Sequence, residues 1–183
     1  MKIDSAAWLL IIDPQVIFAD PSSEWASPGF DQAIAVAASL VPHFDGRVLV
    51  TRWLPDPNPH GSWIPYFERW PFAARPATDP IYDLMPAAMG LSPWPTFDRT
   101  TFGKWGPDLE AIVGPNPHLV LTGVSTDCCV LSTALPAADA GATVMVVADG
   151  CAASTAEFHA AGLHTMSQYD PQIKVQTASQ LTT

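Results

Sequence analysis

Four short apolar runs constrain this chain more than any other feature. They are Ala7-Trp8-Leu9-Leu10-Ile11-Ile12, Val48-Leu49-Val50-Thr51, Leu119-Val120-Leu121-Thr122 and Thr143-Val144-Met145-Val146-Val147. None alternates polar with apolar residues, so none suits a strand with one face in water. Unbroken Val, Ile and Leu runs of this length mark parallel strands covered on both faces. Helix-like patterns separate them, at 33–40, 108–113, 127–140 and 155–167, and a last strand candidate covers 172–177. Strands alternating with helices imply right-handed crossovers. The expected fold is therefore three-layer α/β, a mostly parallel sheet with helices on both faces. At 183 residues the chain is expected to form one domain, 1–183.

One stretch breaks the rhythm. Between Trp53 and Pro95 lie ten of the nineteen prolines and four of the seven tryptophans. Proline is excluded from helix interiors and central strands, so 53–95 reads as an irregular covering loop with one short helix near 63–70. It either packs aromatics on the core or walls a pocket, and the two roles are compatible. Trp53, Trp63, Trp70 and Trp94 are the candidates to wall such a pocket.

Charge narrows the partners. Eight Lys and Arg against eighteen Asp and Glu give a net charge of −10, which disfavours nucleic acid and anionic membrane surfaces. No basic-plus-apolar leader opens the sequence, and no apolar run approaches the ~20 residues that span a bilayer. Three cysteines, two of them adjacent, do not make a disulfide framework. A cytoplasmic protein acting on a small molecule is expected, without nucleic acid, membrane or cofactor.

In an open α/β sheet, ligands sit beyond the carboxyl ends of the strands, so the residues just after each run matter most. Asp13 follows the first run directly, although an aspartate before Pro14 is also an ordinary turn residue. Gly123-Val124-Ser125-Thr126-Asp127-Cys128-Cys129-Val130 follows another run and leads into a helical pattern. Cys129 would then stand in the first helical turn, where free N–H groups and the helix dipole lower a thiol pKa. Cys128 would point elsewhere and pack. The competing reading of Cys129 is an inert buried thiol. None of the five histidines follows a strand; His118 begins one, and His159 and His164 fall on the last helix, so a Cys–His dyad is disfavoured. Arg99 and Lys104 supply cations in a weakly charged region.

These motifs resemble the isochorismatase-like cysteine hydrolases over nearly the whole chain. Ile11-Ile12-Asp13-Pro14-Gln15-Val16-Ile17-Phe18 resembles the family's opening Asp-x-Gln-x-x-Phe, and the segment from Gly123 to Val130 its Gly-x-x-Thr-x-x-Cys-Val. The resemblance implies a nucleophile at Cys129 and a general acid–base at Asp13. It also implies a cis peptide before Ser125, and an oxyanion hole from the N–H groups of Ser125 and Cys129. Gln15, Phe18 and Thr126, within the same motifs, join Trp53, Trp63 and Trp70 as expected substrate contacts. A homo-oligomer, dimer or tetramer, is implied by analogy.

Two departures stand out. Residue-by-residue matching puts Arg99, not a lysine, at the family's cationic position, with Lys104 five residues later. Arginine holds charge but gives up no proton at neutral pH. Arg99 is therefore the expected catalytic cation, with Lys104 in reserve. The metal-binding Asp-x-His of the nicotinamidase branch is also missing: Trp53-Leu54-Pro55 stands there, with Asp56 and His60 scattered beyond, so no metal is expected. The resemblance and the retained Cys129 imply a metal-independent hydrolase of a small amide or carbamoyl C–N bond. The alternatives are a vinyl-ether hydrolase in which Cys129 is incidental, and a non-catalytic binder that lost the lysine. A nucleotide-binding domain is disfavoured because no glycine-rich phosphate loop follows the first run.

Overall fold

A computed structural model describes residues 3–182. The apolar runs become strands β1 (Trp8–Ile12), β2 (Val48–Trp53), β4 (His118–Val124) and β5 (Thr143–Ala152), joined by β6 (Ile173–Gln176). A short edge strand, β3 (Phe97–Arg99), completes a six-stranded sheet in the order β3-β2-β1-β4-β5-β6. Every neighbouring pair of strands is parallel, as continuous burial on two faces requires. β3 has no apolar run to betray it. It is three residues long, and its Asp98 carboxylate pairs with Arg52 of β2 rather than with the core.

Helices cover both faces. They are α1 (Val16–Ala19), α2 (Phe30–Leu40), α3 (Trp63–Arg69), α4 (Pro107–Val113), α5 (Leu131–Asp139), α6 (Ala156–Ser167) and α7 (Ala178–Thr182). In α2 the buried residues Phe30, Ala33, Ile34, Ala37 and Leu40 form one apolar stripe against the sheet. Thr155 caps α6, its hydroxyl accepting the Phe158 N–H at 3.1 Å. The pattern at 127–140 is helical without a break through Asp139, but its first turn is wound differently from the rest. Thr126–Val130 winds as a single π turn, and α5 starts only after it. Such π turns recur at functional sites. No helix among the described residues is long and apolar enough to cross a membrane.

The sequence order of the strands reverses between β1 and β4, the sheet's topological switch point. Register makes the place definite: Ile12 pairs with Gly123, so Asp13 and the Ser125 segment leave the sheet side by side. Gly123 has φ +107°, and a Cβ there would lie 2.1 Å from the Ile12 carbonyl oxygen, so only glycine fits. The irregular stretch 53–95 contains α3, as its composition predicts, and otherwise short 3₁₀ turns opened by proline. It is anchored from below by Gln15. The Gln15 amide donates to the carbonyls of Trp53 (3.0 Å) and Tyr82 (2.8 Å) and accepts the Trp53 N–H (2.8 Å).

Candidate active site

Asp13 leaves β1 with φ +50°, a left-handed conformation that aspartate tolerates better than most residues. Its N–H donates to Thr51 Oγ1 at 3.1 Å, and Thr51 Oγ1 donates back to Asp13 Oδ1 at 2.6 Å. The other oxygen, Oδ2, meets Lys104 Nζ at 2.9 Å, and both side chains are wholly buried. No further protein donor reaches Oδ2 among the described residues. Lys104 is itself tied down, Nζ donating to the Thr101 carbonyl at 3.1 Å. Thr133 fastens the lysine to the cysteine: its hydroxyl accepts the Lys104 N–H (3.0 Å) and donates to the Cys129 carbonyl (2.7 Å). A cis peptide joins Val124 to Ser125, and the Ser125 carbonyl accepts from the N–H groups of Cys128 and Val130, both at 3.1 Å.

This arrangement changes two sequence expectations. The ammonium that reaches Asp13 belongs to Lys104, not Arg99. Arg99 ends the edge strand β3, where it pairs with Asp108 at 2.7 Å and lies 4.6 Å from the Phe97 ring centre. Residue-by-residue matching failed because the segment bends after β3, and the bend carries the later residue inward. The Cys129 thiol pKa is raised, not lowered. The hydrogen bond to Cys128 raises it most, then burial, then the Asp13 carboxylate, with only Lys104 opposing. Cys129 rests as a neutral thiol, and the same hydrogen bond moves Cys128 the other way. Cys151 is an inert thiol, pushed up to about 12 chiefly by burial.

Above Cys129 lies a cavity of about 240 Å³. Its aromatic wall consists of Phe18, Trp25, Tyr66, Trp70, Phe102 and Phe158. Its polar lining is Glu24, Ser125, Asp127, Cys128, Cys129 and Ser154. Of the expected substrate contacts, Phe18 and Trp70 line it. Trp53 does not: it is sealed in the core, stacked against Phe102 at 6.1 Å. Trp63 packs behind, with its ring centre 4.9 Å from that of Phe102. Gln15 spends its amide on backbone, and Trp94 is exposed, its indole N–H bonded to the Gly46 carbonyl. Thr126 is buried beside the site with its hydroxyl 2.8 Å from His159 Nδ1.

Sequence reasoning missed Thr51, Thr133, Trp25 and Tyr66. Trp25 is the hub of the wall, with ring centres of Phe18, Trp53, Tyr66, Trp70 and Phe72 within 5.1 to 6.1 Å. An isolated tryptophan amid the polar residues of 20–29 was the available signal. No group of three or more His, Cys, Asp or Glu among the described residues is placed to hold a metal ion.

A doubly wound sheet with a carboxylate and a cysteine at its switch point, and a buried ammonium paired with the carboxylate, defines the class as open-sheet α/β. The chain belongs to the isochorismatase family of hydrolases, whose isochorismatase domain it matches over residues 7–180. Solved structures share the fold. A family protein from Desulfovibrio vulgaris is 20% identical, covers 96% of each chain and superposes with TM-score 0.78. A structure titled cysteine hydrolase, from Pseudomonas syringae, is 14% identical with TM-score 0.76, covering 98% of this chain and 92% of its own. An isochorismatase-like hydrolase from Alkaliphilus metalliredigens is 22% identical with TM-score 0.75, covering 95% and 94%. No curated protein matches the chain significantly.

Proposed function

We propose that this protein hydrolyses a small amide or carbamoyl C–N bond through an acyl-enzyme on Cys129, without a metal ion. The observation that carries the reading is the wholly buried Asp13–Lys104 pair at 2.9 Å, within electrostatic reach of a neutral Cys129 thiol. A thiol whose pKa is raised needs a base at the moment of attack, and Asp13 is the acceptor at hand. Asp13 takes the Cys129 proton as sulfur bonds to the carbonyl carbon. The negative charge then moves to the carbonyl oxygen, where N–H groups of the Ser125–Cys129 turn would receive it. The C–N bond breaks as Asp13 returns the proton to nitrogen, releasing ammonia or an amine. Water next attacks the thioester, giving one proton to Asp13, which passes it to sulfur as the C–S bond breaks. Lys104 keeps Asp13 poised and offsets the charge formed on sulfur.

The geometry weakens the rivals. The non-catalytic reading drew its support from the missing lysine, and Lys104 occupies the inner position. A vinyl-ether hydrolase has no use for the thiol, so Cys129→Ala separates the two chemistries. An ammonia-release assay over small amides, ureas and carbamoyl compounds tests the proposal directly. Turnover by wild type and Cys128→Ala, with none by Cys129→Ala, supports it. Full retention in Cys129→Ala overturns it.

A further inference from the structure

The lining of the cavity above Cys129 is electrically one-sided. Its two charged side chains are Glu24 and Asp127, and it contains no Lys, Arg or His. Asp127 Oδ1 is buried without a hydrogen-bond partner, so no protein donor offsets it among the described residues. Lys104 is wholly buried, is not among the lining residues, and has its charge countered by Asp13, so it offers a substrate anion no direct contact. Arg69 lies 5.0 Å from the Trp70 ring centre but is not among the lining residues. Burial lowers the His159 pKa against the opposing pull of Asp127, and its Nδ1 is engaged by Thr126.

The rest of the wall is aromatic. Trp25 stacks on Phe18 at 9° and meets Trp70 at 64°, so the wall offers both ring faces and ring edges. Aromatic faces attract cations and repel anions. Tyr66 stays a neutral phenol, its pKa raised by burial first and by the neighbouring cysteines second. The volume, about 240 Å³, falls below the ~300–1,000 Å³ typical of drug-sized ligand sites, so one ring or a short chain fills it.

We propose that the pocket selects amides whose acyl part is a single planar or apolar group without negative charge, and that Glu24 and Asp127 favour one carrying an amine cation. The reacting end of that substrate rests on the amide-hydrolase reading above; the charge selection does not. A carboxylate in the acyl part would be brought next to two carboxylates and a π-rich wall with no cation to receive it.

Three probes of matched shape test this on Cys129→Ala protein, which binds without turnover: 3-(aminomethyl)benzamide, benzamide and 3-carboxybenzamide. Affinity is read by tryptophan fluorescence and calorimetry. The cationic probe is expected to bind at least about tenfold tighter than the anionic one, with benzamide between, and added salt should narrow the gap. Glu24→Gln, at an exposed position, and Asp127→Asn should each shrink the ratio, and together bring it to about threefold or less. Equal or tighter binding of the carboxylate, failure of all three to bind, or an unchanged ratio in both variants overturns the proposal. Ammonia release by wild type separates the two claims. The expected order of binding without ammonia release sinks the hydrolase reading alone. Ammonia release as fast from the carboxylate as from the cation sinks the charge selection alone.

Discussion

Two ion pairs, five residues apart at their cations, look alike by distance and differ in everything else. Arg99 meets Asp108 at 2.7 Å, and Lys104 meets Asp13 at 2.9 Å. The first stands in water, with the Asp108 side chain 71% exposed; the second has no exposure at all. Exposed pairs contribute little, because solvent screens the attraction and ordering two long side chains costs entropy. A buried pair has lost its hydration, so each charge depends on the other. The proposed chemistry rests on the second case. Of the two cations, only Lys104 acts on the Cys129 thiol, together with the equally buried Asp13. The choice of lysine over arginine also fits, since a compact ammonium is held between Asp13 and the Thr101 carbonyl.

The largest effect expected is on turnover. Asp13→Asn keeps the shape of the side chain but removes the proton acceptor, and kcat for amide hydrolysis should fall by at least about 10²–10⁴, the usual contribution of a general base. Steady-state ammonia release measures it, and a loss under tenfold would return Asp13 to the role of a turn residue. Next comes stability. Lys104→Met leaves the Asp13 carboxylate buried and unpaired, which should cost about 3–5 kcal/mol in urea unfolding. The double variant Lys104→Met with Asp13→Leu should recover much of that stability while remaining inactive, because the orphaned charge is gone.

A smaller effect concerns the thiol. The Asp13 carboxylate raises the Cys129 pKa and Lys104 lowers it, so Asp13→Asn removes a raising influence and leaves the lowering one. The pKa should fall, and the thiolate fraction at pH 7 should rise. Iodoacetamide alkylation followed from pH 6 to 10, in a Cys128→Ala background, should shift its midpoint to lower pH when Asp13→Asn is added. A shift upward would show that Asp13 does not face Cys129.

How far this centre was legible beforehand depends on whether a residue declares itself within its own run. Strands β1, β2, β4 and β5 did, because burial on two faces leaves an unbroken apolar signature. Asp13 and Cys129 did as well, since each stands where a strand gives way to polar residues. Lys104 did not. Its inward turn depends on Thr101 and Thr133, one three and the other twenty-nine residues away, and no local pattern records the second. Nor did the thiol's raised pKa declare itself. The helix-terminus argument is local, whereas burial and the Asp13 charge come from the packing of separate elements. β3 was hidden for the opposite reason, being a short edge strand whose side chains answer to solvent as much as to the core.

The smallest effect breaks the comparison most cleanly if it fails. Arg99→Ala should lower stability by no more than about 1 kcal/mol, since its partner is mostly in solvent, and should leave kcat within about twofold. A double-mutant cycle with Asp108→Ala isolates the pair, and its coupling should be about 0.2–1 kcal/mol at low salt, shrinking as salt is added. Part of any loss will come from the Phe97 ring under the guanidinium, which persists when Asp108 is removed and so stays outside the coupling. If Arg99→Ala instead abolished turnover with the fold intact, the cation that matters would be the one at the edge of the sheet. The buried lysine would then be a structural counter-ion, and the two pairs would have to exchange roles.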